Sequence, residues 1–146
     1  DTNTIDAMAG RIARSLRSIA TIDEIVLPAE DLGCDESTIE NVQKLPRYAD
    51  GVVAVGSGVI SDLCKHATYL DGRPFVTFGT AASMNGYAAS TASVTLKNGF
   101  KTSVPSHAPR GIFLDLSISA AAPFFLLVNT IPRIFEVLTA SSPNVS

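Results

Sequence analysis

No stretch of this chain gathers lysine and arginine into a stripe, and the formal net charge is −3, from 11 basic and 14 acidic residues. That balance disfavours a surface built for a phosphate backbone, so nucleic acid is not an expected partner. Tryptophan is absent, and the two cysteines, Cys34 and Cys64, form neither a CxxC pair nor a disulfide framework. With no charged-then-apolar layout at the start, a reducing, cytoplasmic setting is expected. The most apolar stretch, residues 118–138, is broken by Pro123, Asn129, Pro132 and Arg133. It lacks the roughly twenty clean residues a membrane span requires, and no membrane insertion is expected. There is no GxSxG elbow and no HExxH, and the histidines, His66 and His107, stand near no plausible nucleophile pair. A hydrolytic triad is therefore not expected.

What is present suffices for one core: 146 residues, 46% hydrophobic and 17% charged. That balance is apolar for a free-standing small domain and common in a piece of a larger one. Some apolar surface then belongs to a missing partner, and self-association is expected. From Ile5 the residues Ile5, Met8, Ala9, Ile12, Leu16 and Ile19 recur at steps of three and four, the signature of one helix face. "EIVLP" (24–28) reads as a short strand stopped by proline. "CDESTIENVQKLP" offers Asp35 as the N-cap of a helix that ends near Pro46. "GVVAV" (51–55) has no polar alternation, as expected for a strand covered on both faces of a parallel sheet. A helix from about Val59 to Leu70 follows, closed by the Asp71-Gly72 turn, then "PFVTF" as a second buried strand. "SVTLKNGFKTSVP" places two β-prone arms around Asn98-Gly99, a hairpin signal, and "GIFLDL" supplies a further buried strand. Strands alternating with helices predict an α/β fold, a Rossmann-like parallel sheet with helices on both faces plus a β-hairpin. The polar opening "DTNT" stands directly before a helix, where a preceding strand is expected; the sheet reads as incomplete at both ends.

Two segments could carry chemistry. In "VVAVGSGVISDLCKHA" a strand leads into Gly56-Ser57-Gly58, and the following helix would aim unpaired N–H groups and its positive dipole end over the turn. Gly56 and Gly58 allow close backbone approach and Ser57 adds a hydroxyl. The same corner also serves as a plain strand-to-helix turn, so a phosphate cradle and a tight corner both stand. Asp62 and Lys65 share a face of that helix and read as a solvated i,i+3 pair; His66 reads as a packed or surface histidine, since no second ligand occurs at helical spacing. "GTAASMNGYAAS" (79–90) follows a strand's carboxyl end, where ligands of open α/β sheets bind, and Thr80, Ser83 and Asn85 offer hydrogen bonds without bulk.

In order and spacing, "VVAVGSGVISDLCKHA", "GRPFVTFGTAASMNGYAAS", "NGFKTSVPSHAPRGIFLDL" and "AAAP" resemble the nucleotide-binding half of the sn-glycerol-1-phosphate dehydrogenases. These belong to a metal-dependent superfamily that also holds glycerol dehydrogenase, iron-containing alcohol dehydrogenase and dehydroquinate synthase. The resemblance covers residues 1–123, read as a nucleotide-binding α/β domain, with 124–146 as a divergent apolar tail. It implies reduction of dihydroxyacetone phosphate by NADH or NADPH to glycerol 1-phosphate, in glycerophospholipid synthesis, with a zinc- or nickel-type ion polarising the carbonyl. It also implies that Gly56, Ser57, Gly58, Val59 and Ile60 hold the pyrophosphate and that Thr80, Ala81, Ala82 and Ser83 meet the nicotinamide side. Asp1 then corresponds to the acidic residue at the adenosine end, and Asn85 to a substrate contact.

The chain departs from that pattern in three places. Asn85 replaces the aspartate of "SMDGY", and Ala89 stands where relatives usually carry a cofactor-binding serine. After "AAAP" the family continues into a "GLGD" turn bearing the first metal ligand, whereas this chain reads "FFLLVNTIPRIFEVLTASSPNVS", with Glu136 its only carboxylate and no histidine. No metal site and no catalytic residue are therefore assigned. The expectation is a truncated or frame-disrupted dehydrogenase that keeps its nucleotide fold and is inactive alone. The alternatives are a non-catalytic dinucleotide-binding fragment and a dehydroquinate-synthase-like lyase homologue.

Overall fold

The computed structural model describes residues 8–28, 30, 32–43, 49–81 and 86–121. In chain order the elements are α1 (Gly10–Leu16), α2 (Glu36–Gln43), β1 (Val52–Gly56), α3 (Gly58–Asp71), β2 (Phe75–Gly79), β3 (Thr91–Thr95), β4 (Lys101–Pro105), β5 (Ile112–Leu114) and α4 (Leu116–Ala121). Strands β1, β2 and β5 form a parallel sheet in that order, while β3 and β4 pair antiparallel as a separate hairpin. The α/β class with a parallel sheet and a hairpin is as the sequence predicts.

Local chemistry places the ends of these elements. Asp35 caps α2: its Oδ1 accepts the Thr38 N–H at 2.8 Å and the Ser37 hydroxyl at 2.6 Å. Those bonds hold its carboxyl below the usual carboxylate range. Helix α3 stops at Gly72, whose φ of +78° is the left-handed C-cap expected of the Asp-Gly turn. The hairpin turns on three residues rather than on Asn98-Gly99 alone. Gly99 N–H donates to the Leu96 carbonyl at 2.8 Å and Leu96 N–H to the Phe100 carbonyl at 2.9 Å. Gly99, at φ +80°, takes the left-handed position that closes such a loop.

Helix α3 is the centre of the packing. Leu63 and Ala67 are fully buried among Cys34, Ile39, Val42, Ala92 and Val94, which brings together α2, α3 and the hairpin. Ile60 joins Ala54 and Phe75 in a second cluster against the parallel sheet. Leu27 and Leu32 pack partly buried against both clusters.

Five expectations are corrected. Residues 24–28 form no strand; Leu27 is packed by its side chain, while Ile25 and Val26 are 53% and 44% exposed. An apolar run becomes a strand only where a neighbouring strand takes its backbone bonds. The strand at 51–55 is not covered on both faces: Ala54 and Gly56 are buried toward α3, but Val53 is 39% exposed. Likewise β2 alternates, with Phe75, Thr77 and Gly79 buried and Val76 and Phe78 half-buried. Strand β5, expected to be buried, is exposed at all three positions, and among the described residues it is an edge of the sheet. Finally, Ile19 does not continue the first helix face: α1 ends at Leu16, and Ile19 lies in the turn beyond it, 81% exposed. Ile5, the helix end near Pro46 and the tail at 124–146 lie outside the described residues.

Candidate functional site at the carboxyl ends of β1 and β2

Strand β1 runs into α3 through Gly56, Ser57 and Gly58. The first intrahelical bond is Ser61 N–H to the Ser57 carbonyl at 3.1 Å, so the N–H groups of Gly58, Val59 and Ile60 have no acceptor within the helix. Ser57 adopts the extended N-cap conformation, yet its side chain makes no cap hydrogen bond. The turn thus combines backbone donors, the positive end of a 14-residue helix and one hydroxyl that caps nothing. Gly56 is required sterically: a Cβ there would stand 2.7 Å from Ile60 Cγ1 and 2.9 Å from Ile60 Cβ. Val59 is half-buried and Ile60 buried, so these two residues anchor the turn through their side chains.

Because β1 and β2 are parallel, the end of β2 lies beside this turn. Gly56 pairs with Gly79 in register, and the Thr80 N–H donates to the Gly56 carbonyl at 3.1 Å. Thr80 and Ala81 are 7% and 3% exposed. The Tyr87 hydroxyl donates to the Ala81 carbonyl at 3.0 Å, and burial raises the Tyr87 phenol above its ordinary range. A Cβ on Gly79 would come within 2.9 Å of the Tyr87 ring and 2.6 Å of Leu114 Cδ2. Glycine at the ends of β1 and β2 therefore lets a helix residue and a tyrosine close over the rim. Gly56, Ser57, Gly58, Val59, Ile60, Thr80 and Ala81 share this end of the sheet; Asp1, Ala82, Ser83 and Asn85 lie outside the described residues.

The Asp62–Lys65 pair is not solvated, and this is a correction. Lys65 has no exposed surface, and its Nζ lies 3.1 Å from Asp62 Oδ1. Spacing alone could not separate a surface pair from a buried one, although Leu63 and Ala67 beside it belong to the core. The histidines serve packing. His66 Nδ1 lies 3.1 Å from the Pro105 carbonyl, and His107 Nε2 lies 2.8 Å from the Thr68 hydroxyl, while the His107 ring stacks on Phe75. Among the described residues no group of three or more His, Cys, Asp or Glu side chains could hold a metal ion, so the described residues do not fit one. Also among them, no helix is long and apolar enough to cross a membrane.

Residues 1–123 match the family of iron-containing alcohol dehydrogenases. The glycerol-1-phosphate dehydrogenase [NAD(P)+] of Bacillus velezensis is 32% identical over 128 residues, 84% of this chain and 32% of that protein. Its counterpart from Methanosarcina acetivorans is 35% identical over 132 residues, 86% of this chain and 35% of that protein. The crystal structure of glycerol dehydrogenase from Schizosaccharomyces pombe superposes with a TM-score of 0.76 at 22% identity, covering 88% of this chain and 33% of that one. The chain spans about a third of the length of the curated relatives it matches. By the family match over residues 1–123, this chain belongs to the iron-containing alcohol dehydrogenases.

Proposed function

We propose that residues 1–123 are the dinucleotide-binding domain of an NAD(P)-dependent sn-glycerol-1-phosphate dehydrogenase homologue. Within it, Gly56, Ser57, Gly58, Val59 and Ile60 hold the pyrophosphate. The observation that carries this reading is the turn at Gly56–Gly58, where three helix N–H groups have no acceptor within the helix and the Ser57 hydroxyl makes no cap hydrogen bond, beside the end of β2. Such a cradle fits a pyrophosphate by both charge and shape. Thr80, tied to Gly56 at the neighbouring strand end, and Ala81 beside it are suited to orient the nicotinamide end, and Ala82 and Ser83 are assigned to the same end. Asn85 is assigned to the phosphorylated ketone or alcohol substrate, and Asp1 to the adenosine end.

When bound, NADH or NADPH supplies a hydride for a carbonyl carbon. What this chain contributes is binding and orientation. The pyrophosphate is held by backbone donors that need no rearrangement, and the bulk of Ile60 and Tyr87 fixes the rim around it. The zinc or nickel ion of the resemblance has no fitting donor set among the described residues, so no step is assigned to it. With no histidine and one carboxylate, Glu136, after "AAAP", the chain is assigned dinucleotide binding without turnover of substrate. The two cysteines, both free, support a reducing, cytoplasmic setting.

The test is a fluorescence titration of the purified chain with NADH, with and without added zinc or nickel. Saturable, metal-independent binding is the expected result. No binding by a chain that melts cooperatively would show that the turn is a plain corner. Turnover of dihydroxyacetone phosphate by this domain joined to a relative's C-terminal domain would separate a dehydrogenase from a lyase.

A further inference from the structure

Lysine is among the residues least often fully buried, because removing an ammonium from water is costly unless its donors are satisfied. Lys65 meets that condition completely. Its three N–H donors face three acceptors: the Gly86 carbonyl at 2.8 Å, the Thr91 carbonyl at 3.1 Å and Asp62 Oδ1 at 3.1 Å. The second Asp62 oxygen, Oδ2, accepts the Ser93 N–H at 3.2 Å. One helix face thus grips both ends of the segment 86–91 and the start of the hairpin. A residue needed for packing alone, between Leu63 and Ala67, would carry no charge.

The gripped segment holds Tyr87. Its hydroxyl meets the Ala81 carbonyl just beyond β2, and its ring lies where a Gly79 Cβ would be. A continuous path runs from α3 through Lys65 and Gly86 to Tyr87, and from there to the end of β2 beside the Gly56 turn. We propose that Lys65, with Asp62, is a positioning pair that holds segment 86–91 over the sheet end, so that the β2 side of the dinucleotide site is formed before ligand arrives. The structural half of this statement rests on the hydrogen bonds; its functional half rests on the proposed dinucleotide reading.

The test compares the full chain with its Asp62→Asn/Lys65→Met variant. Both charges leave together, and near-isosteric neutral replacement of a buried pair is commonly tolerated by the fold. The expected result is cooperative melting with faster deuterium uptake by the amides of residues 87–93, by about tenfold, while those of α2 and β1 keep their rates. NADH dissociation constants should rise about tenfold as well. Unchanged uptake over 87–93 in the folded variant would overturn the positioning role, and so would faster uptake with unchanged NADH affinity. If the double variant does not melt cooperatively, Lys65→Gln, which keeps a donor but not the reach to three acceptors, is read by the same exchange. If the unmodified chain does not bind NADH, the dinucleotide reading fails, while the exchange data still decide whether the pair holds the segment.

Discussion

The N–H of Thr80 donates to the carbonyl of Gly56 at 3.1 Å, where β1 and β2 both leave the sheet. The rim of the candidate site is therefore set by backbone where these two strands end. Ile60 presses on Gly56 from α3, and Tyr87 presses on Gly79 from the segment before the hairpin. A rim made in this way changes little when a ligand arrives, because its donors are already fixed.

Gly56→Ala is expected to damage both fold and binding. The added Cβ would stand 2.7 Å from Ile60 Cγ1, and overpacking of this kind costs about 1–3 kcal/mol. Relieving it means moving α3, which carries the N–H donors of the turn. Gly72→Ala is the control: its φ of +78° penalises alanine, yet nothing lies within 4 Å of the new Cβ. Urea unfolding should show a loss in both variants, the Gly72 one about 1 kcal/mol. NADH titration should show weaker binding only in Gly56→Ala.

Tyr87→Phe should cost about 1 kcal/mol in denaturant unfolding, since it leaves the buried Ala81 carbonyl without this donor. The pH dependence follows from the same burial. The folded phenol is raised above its ordinary range, so its contribution is complete below the unfolded pKa of about 10. It is lost as pH rises through the higher folded value. Alkaline unfolding of the unmodified chain should therefore begin earlier than that of Tyr87→Phe, once each is referred to its own stability at neutral pH. Identical alkaline profiles would refute this.

Much of this was legible because local chemistry decided it. Asp35 as a cap, Gly72 as a helix end and Gly99 in the hairpin loop each follow from what one residue type does to its own backbone. The readings that failed depended on neighbours. "EIVLP" has strand composition but no strand beside it among the described residues, and "GIFLDL" looks buried until β5 proves to be an edge among them. Lys65 is the clearest case at the site. Its three acceptors come from residues more than twenty positions away or on its own helix face, which i,i+3 spacing does not reveal.

Cys34 should react with iodoacetamide far more slowly than a free thiol. Burial, with the Asp62 and Asp35 carboxylates adding to it, pushes its thiol up to about 12. At pH 8 its thiolate fraction is then on the order of 10⁻⁴, against about a quarter for an unfolded cysteine. Cys64 is raised in the same direction by burial but keeps some exposed surface, so it should label first. Mass spectrometry of peptides after timed labelling checks the order. Cys34 labelling at the free-thiol rate in the folded chain would contradict the packing described.

Self-association should be measurable and should depend on the exposed side of the sheet. The parallel register places Val53, Val76, Phe78 and Phe113 on one face, with Phe78 and Phe113 stacked at 4.6 Å between ring centres. Val53 and Phe113 are 39% and 48% exposed, and β5, an edge among the described residues, adds Ile112 and Leu114. An apolar face beside a strand edge that no described residue pairs favours contact between copies. Sedimentation velocity across a concentration series should show mass rising with concentration. Phe113→Lys should shift the distribution toward monomer at a stability cost of about 1 kcal/mol for the lost ring pair. A monomer at every concentration before mutation would show that this face is tolerated in water; association unaffected by Phe113→Lys would place the contact elsewhere on the chain.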